Sequence, residues 1–206
     1  MDQHAVRGCG NVFVVPGERY LAARDAFDDS DIARTGGRHE STAAMMAEAV
    51  GKVTGKPGIC FVTRGPGATN GSAGVHIARQ DSSAMIMFVG QVGRHMRERE
   101  AFQELDYRAV FGTIAKWATE IDDPARIPEL VSRAFPTACN GRPGPVVIAL
   151  PEDMLTERVA VPDSAAYDPV EVWPGLTDMS RLQKLLWAAK KPVVLAFVYY
   201  GCPMLC

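Results

Sequence analysis

GICFVTRGPGATN, residues 58–70, is the stretch that decides the fold class. Its first half, GICFVT (58–63), is a nearly continuous apolar run. A strand with one wet face alternates apolar and polar residues, whereas a strand buried on both faces does not. The second half is glycine-rich, and GVHIARQ (74–80) beyond it has helical character. A buried strand that turns into a helix is one unit of a parallel α/β sheet.

The same alternation extends both ways. NVFVV (11–15) predicts a strand, RYLAARDAF (19–27) a helix and DIARTG (31–36) a short strand. From Glu40 to Thr54 the small residues Ala43, Ala44 and Ala47, with Val50, make one narrow helix face. Gly55, Lys56 and Pro57 stop that helix. Beyond lie a second buried strand, SAMIMFVG (83–90), a helix PARIPELVSRAF (124–135) opened by Pro124, and a last strand GPVVIALP (144–151). The fold expected for residues 1–155 is an α/β, doubly wound parallel sheet with helices on both faces. Residues 156–177 carry prolines and little periodicity and read as a linker. Residues 178–206 begin as helix, turn and strand, the start of a second α/β domain.

Composition bounds the function. Net charge is −2, with both signs interspersed, so no basic face for nucleic acid or an anionic membrane is expected. No apolar run approaches the roughly 18 residues that span a bilayer. The start, MDQHAVRGCG, has no apolar signal core. Five cysteines (Cys9, Cys60, Cys139, Cys202 and Cys206) form no CxxC pair and no metal spacing with the four histidines. A reducing, cytoplasmic setting is the expectation.

The glycine-rich segment following residue 63 invites a phosphate-binding reading, because backbone N–H groups at a helix start attract anions. The spacing fits a dinucleotide site poorly. Gly65 and Gly67 are followed by Asn70 where a third glycine belongs, and Pro66 removes one N–H. No Gly-Lys-Ser/Thr follows, so it is no P-loop. The alternative is a tight strand-to-helix turn, and spacing alone leaves both open. GRHMREREAFQELDY (93–107) follows a strand's C-terminal end, where ligands of open α/β sheets sit. Phe102 and Gln103 therefore face either a site or solvent. RHEST (38–42) places Glu40 at a helix start, where an acidic residue is favoured by the helix dipole.

Taken in order, several segments resemble the N-terminal, pyrimidine-binding domain of thiamine diphosphate-dependent enzymes of the acetolactate synthase group. They are VFVVPGE (12–18), RHE (38–40), GKPGICFVTRGPGATN (55–70), QDSSAMIMFVGQV (80–92), EAFQELDYRAVF (100–111) and GRPGPVVIALPEDML (141–155). The resemblance implies that Glu40 is catalytic. It would hydrogen-bond N1′ of the cofactor aminopyrimidine and so activate the thiazolium C2 as an ylid that attacks a 2-keto acid, leading to decarboxylation or carboligation. A carboxyl group suits this task because a dry, apolar setting makes it hold a proton more tightly. The resemblance also implies that Pro16, Gly17 and Glu18 line the cofactor site. Gly65, Pro66, Gly67 and Asn70 would pack near the pyrimidine ring, and Phe102 and Gln103 would stand where substrate enters. The implied assembly is a homo-oligomer or a pairing with a full-length homologue.

The chain departs from that pattern in places. Family members carry a helix before VFVVPGE, but MDQHAVRGCG is short and broken by glycine. Their third domain holds a GDG…N motif that ligates Mg²⁺ under the diphosphate, and no GDG occurs here, so Mg²⁺ would come only through a domain outside this chain. FAD use is left undecided. The tail FVYYGCPMLC does not resemble the family's central domain. The sequence therefore reads as a fragment, expected alone to bind thiamine diphosphate weakly at most and not to turn over. Two other readings stay open: a non-catalytic remnant or interaction module of the same fold, which shares every one of these motifs, and, third, a Rossmann dinucleotide-binding protein.

Overall fold

The computed structural model describes residues 10–191 and 193, apart from 29, 163, 165 and 166. The expected strand after residue 191, the altered N-terminal helix and the unusual tail lie outside the described residues. Contacts divide the chain between Pro169 and Val170 into two compact units.

The first unit is built on a six-stranded, wholly parallel sheet in the order β2-β1-β3-β4-β6-β5. The strands are β1 (Asn11–Val14), β2 (Ala33–Gly36), β3 (Gly58–Thr63), β4 (Met85–Gln91), β5 (Trp117–Glu120) and β6 (Pro145–Pro151). The helices are α1 (Leu21–Asp25), α2 (Glu40–Thr54), α3 (Arg64–Asp81), α4 (Tyr107–Phe111) and α5 (Ile127–Cys139). The predicted doubly wound sheet is the observed one. Every residue of β4 and β6 is buried, as the unbroken apolar runs require.

Two cores flank the sheet. On one face Val12, Ile59, Phe61, Ile86, Phe88 and Ile148 meet α1 and α5. Phe61 and Phe88 stack there at 4.7 Å, and Phe27 meets Phe61 edge-on at 5.3 Å. On the other face the alternate residues Phe13, Cys60, Val62, Met87 and Val147 meet α2, α3 and α4 through small side chains such as Ala43, Ala44, Ala47, Ala68 and Ala78. The helices come very close there. A Cβ placed on Gly74 of α3 would stand 2.6 Å from the Ala44 backbone of α2.

Several local expectations are corrected. The glycine-rich segment is not a turn: α3 begins at Arg64 and runs unbroken through Gly65, Gly67, Gly71 and Gly74. Its glycines weaken the isolated helix, but they admit close neighbours: a Cβ would stand 2.6 Å from Ala44 of α2 at Gly74, 3.0 Å from Met87 of β4 at Gly71 and 2.9 Å from the Gln103 carbonyl at Gly65. The helix expected over 19–27 is a 3₁₀ turn, Glu18–Tyr20, followed by the short α1. Residues 107–120, which gave no strand or helix signal, hold α4 and β5. The 124–135 helix opens as a 3₁₀ turn over Pro124–Arg126, with Asp123 capping the Ala125 N–H at 2.9 Å.

No regular element occurs among the described residues from Glu157 to Gly175. Part of this stretch nevertheless belongs to the first unit: Tyr167 packs on the aromatic core and donates to Asn140 Oδ1 at 2.7 Å. The second unit contains α6 (Leu176–Ala188), an amphipathic helix.

Candidate functional site

The strand order sets where a site belongs. After β1 the chain leaves for the face that carries α1, and after the neighbouring β3 it leaves for the face that carries α3. That divergence is a topological switch point, and the crevice beyond it is the favoured ligand position in open α/β sheets. Three predicted groups converge on it.

Pro16, Gly17 and Glu18 follow β1. Gly17 crosses directly over the end of β3, so closely that a Cβ on it would be 2.4 Å from the Thr63 Cβ. Only glycine fits this crossing. Glu18 is exposed, with its carboxylate 3.7 Å from Arg19 and 3.9 Å from Arg64. Pro16 is exposed beside them.

Glu40 opens α2, and the His39 side chain caps the helix by accepting the Ser41 N–H at 3.2 Å. The glutamate is half-buried. Its Oε2 accepts the side-chain amide of Asn70 at 3.0 Å. Ser41 Oγ donates back to the Asn70 carbonyl at 2.6 Å. Gly67 faces the other oxygen: a Cβ there would lie 3.5 Å from Glu40 Oε1. Glu40, Gly67 and Asn70 thus form one cluster, with one carboxylate oxygen engaged and the other flanked by a residue without a side chain.

The third group is Phe102 and Gln103, at the apex of the loop after β4. The Gly65 N–H donates to the Gln103 carbonyl at 2.9 Å, and Arg64 Nη1 donates to the Phe102 carbonyl at 3.0 Å. The Phe102 ring is 76% exposed. Pro66 is exposed at the head of α3. Gly65 and Asn70 lie on the same helix, about 7.5 Å apart along its axis, so α3 joins the Glu40 cluster to the loop.

Sequence reasoning passed over Arg64 and Gln91. Gln91 is buried, donates to the Leu105 carbonyl at 2.9 Å and accepts the Val92 N–H at 2.9 Å. The available signal was the polarity of these residues where buried apolar strands end. A separate cavity of about 550 Å³, lined by Ala22, Phe88, Ile127, Val131 and Leu150 among others, lies on the α1–α5 face. None of the predicted site residues lines it. Among the described residues no group of three or more His, Cys, Asp or Glu is placed to hold a metal ion, and no helix is long and apolar enough to cross a membrane.

Residues 3–110 match the family described as thiamine pyrophosphate enzyme, N-terminal TPP binding domain, and the chain belongs to that family. It is 35% identical to an acetolactate synthase of Bacillus subtilis (strain 168), over 96% of this chain and 35% of the relative. It is 38% identical to a probable acetolactate synthase large subunit of Methanocaldococcus jannaschii, over 90% of this chain and 32% of the relative. Against the acetolactate synthase isozyme 3 large subunit of Escherichia coli (strain K12) the identity is 34%, over 91% and 34% respectively. The chain spans about a third of the length of these relatives.

Proposed function

We propose that this chain supplies the pyrimidine-binding half of a thiamine diphosphate site in an acetolactate synthase-like enzyme acting on 2-keto acids. When bound, the cofactor supplies a thiazolium carbon acid for decarboxylation and carboligation. The observation that carries the reading is the Glu40 cluster. Asn70 holds Oε2, and Gly67 sets no side chain of its own against Oε1. A carboxyl oxygen so presented suits a proton shared with an aminopyrimidine ring nitrogen.

Other residues of the chain would shape the same site. Gly17 brings the Pro16–Glu18 segment over the end of β3, which narrows the crevice from the β1 side. Gly65, Pro66 and Gly67 would line it from the α3 side. Phe102 and Gln103 would stand where substrate enters. The diphosphate and its Mg²⁺ would be held by residues outside residues 1–155, in a neighbouring subunit of a homo-oligomer or in a full-length homologue. The organisation that follows is a cofactor domain over residues 1–155, a linker over 156–177 and the start of a central domain at residue 178.

The test uses a complete enzyme. Residues 11–155 are grafted into a full-length relative, and cofactor C2-proton exchange is followed by NMR in the graft and in its Glu40→Gln form. The substitution is expected to slow exchange by about a hundredfold or more, a hundredfold being the lower end of what a positioned proton-transfer group contributes. Equal exchange rates would overturn the assignment of Glu40.

A further inference from the structure

The reading above leaves Arg64 without a role. This residue opens α3 with φ +48°, in the left-handed region that a side chain resists, and it is only 4% exposed. Burying a guanidinium is costly unless its N–H groups find partners. Nη1 donates to the Phe102 carbonyl at 3.0 Å, and the guanidinium carbon lies 5.6 Å from the centre of the Phe102 ring. The nearest carboxylate, that of Glu18, is 3.9 Å away, and Nε has no hydrogen-bond partner. The next donor along the chain, the Gly65 N–H, takes the Gln103 carbonyl. Two successive carbonyls therefore cap two successive donors at the head of one helix.

The loop that offers those carbonyls is held in an unusual shape. Glu98, Glu100 and Gln103 have φ of +58°, +52° and +64°. Non-glycine residues keep such conformations only where the surroundings enforce them. The flanks of the loop are secured elsewhere: the Glu104 carboxylate accepts the N–H groups of Glu98 at 2.6 Å and Ala101 at 3.0 Å, and Gln91 holds the Leu105 carbonyl. Arg64 and Gly65 hold the apex.

We propose that Arg64 is a specificity-determining positioning residue. By clamping the carbonyl and ring of Phe102, it fixes the wall past which a 2-keto acid reaches the Glu40 side of the crevice. This rests on the reading of Phe102 and Gln103 as substrate-facing residues.

The positioning is read by fluorine NMR of the 206-residue chain, with para-fluorophenylalanine at its eight phenylalanines and Phe102 assigned through Phe102→Leu. Arg64→Ala is expected to move the Phe102 resonance and leave the others in place. Arg64→Lys, which keeps the charge and a donor, is expected to move it less. If neither variant moves it, the proposal is overturned. Should Arg64→Ala disturb every resonance, the comparison of Arg64→Lys with the parent carries the same two results. In the grafted enzyme, Arg64→Lys is expected to raise KM for the 2-keto acid about tenfold while C2-proton exchange stays within about twofold. An unchanged KM overturns the specificity role. The fluorine measurement involves no cofactor, so its failure counts against Arg64 alone, whereas unaltered C2 exchange in Glu40→Gln counts against the Glu40 reading alone.

Discussion

Asn70 donates its side-chain amide to Glu40 Oε2 at 3.0 Å, while Ser41 donates its hydroxyl to the Asn70 carbonyl at 2.6 Å. The two bonds run in opposite senses between the first turn of α2 and the second turn of α3. They tie the carboxylate to a helix that packs along the whole length of its own. Asn70→Ala removes the first bond and keeps the second. Both partners are partly wet, so the expected loss is about 1 kcal/mol in urea unfolding. In the grafted enzyme C2-proton exchange should slow about tenfold, because Glu40 becomes free to rotate. Asn70→Asp should cost more than Asn70→Ala, since it sets two carboxylates side by side. The reverse order of stability would show that Asn70 does not face the charge.

Helix-on-helix spacing gives a second expectation. A Cβ at Gly74 would meet Ala44 at 2.6 Å, and both atoms are fixed by secondary structure. Gly74→Ala should therefore destabilise the chain by about 2 kcal/mol or more, although alanine is the better helix former. Ala73→Gly, at the exposed neighbouring position, should cost only about 1 kcal/mol. Urea midpoints of the two variants separate the packing effect from the propensity effect.

A third concerns a buried acid remote from the crevice. Glu48 of α2 is 5% exposed, and its Oε1 accepts from Ser83 Oγ at 2.7 Å and from Lys52 Nζ at 3.0 Å. Ser83→Ala strips a hydrogen bond from a buried carboxylate. The expected loss is about 1–3 kcal/mol. Adding Glu48→Gln should recover part of it, and if the double variant is no more stable than Ser83→Ala, the hydroxyl acts through something other than the charge.

Alkaline pH supplies a fourth. Cys60 is fully buried, and burial pushes its thiol well above the ordinary 9.0. Burial raises the phenols of Tyr20 and Tyr107 above their ordinary 10.0 in the same way. The folded chain keeps protons that the unfolded chain releases. Stability is therefore fully present below pH 9.0 and declines as pH rises above it. Cys60 alone contributes a slope of up to about 1.4 kcal/mol per pH unit. Cys60→Ala should be less stable at neutral pH but lose stability more slowly above it. Parallel pH curves for parent and variant would rule the thiol out.

The parts of this fold written as simple periodicity could be read from the chain. The apolar runs in β3, β4 and β6 and the alanine face of α2 state their burial directly. Four-residue β5 and five-residue α4 are too short to show a period, and their placement depends on pairing with β6 and packing of Phe111. The head of α3 misled for a physical reason: glycine and proline mark turns when propensity decides, but here close contact with α2 and with the Gln103 carbonyl decides. The candidate site was proposed through the resemblance to a family, with Glu40 and Asn70 both named. The bond between them was not, since residues 30 positions apart meet only through the fold. Arg64 escaped because a charged residue after a buried strand looks like ordinary solvation.

The unequal padding of the sheet has a mechanical consequence. On the side of α1 and α5, a ring and branched chains line the half-open pocket of about 550 Å³. On the side of α2 and α3, the backbone at Gly74 lies almost against the backbone at Ala44. Side chains lining an open pocket have room to shift and closely packed backbone does not, so the molecule has a soft side and a hard side. Glu40 is mounted on the hard one, so side-chain shifts on the aromatic side should be absorbed there before they move the carboxylate.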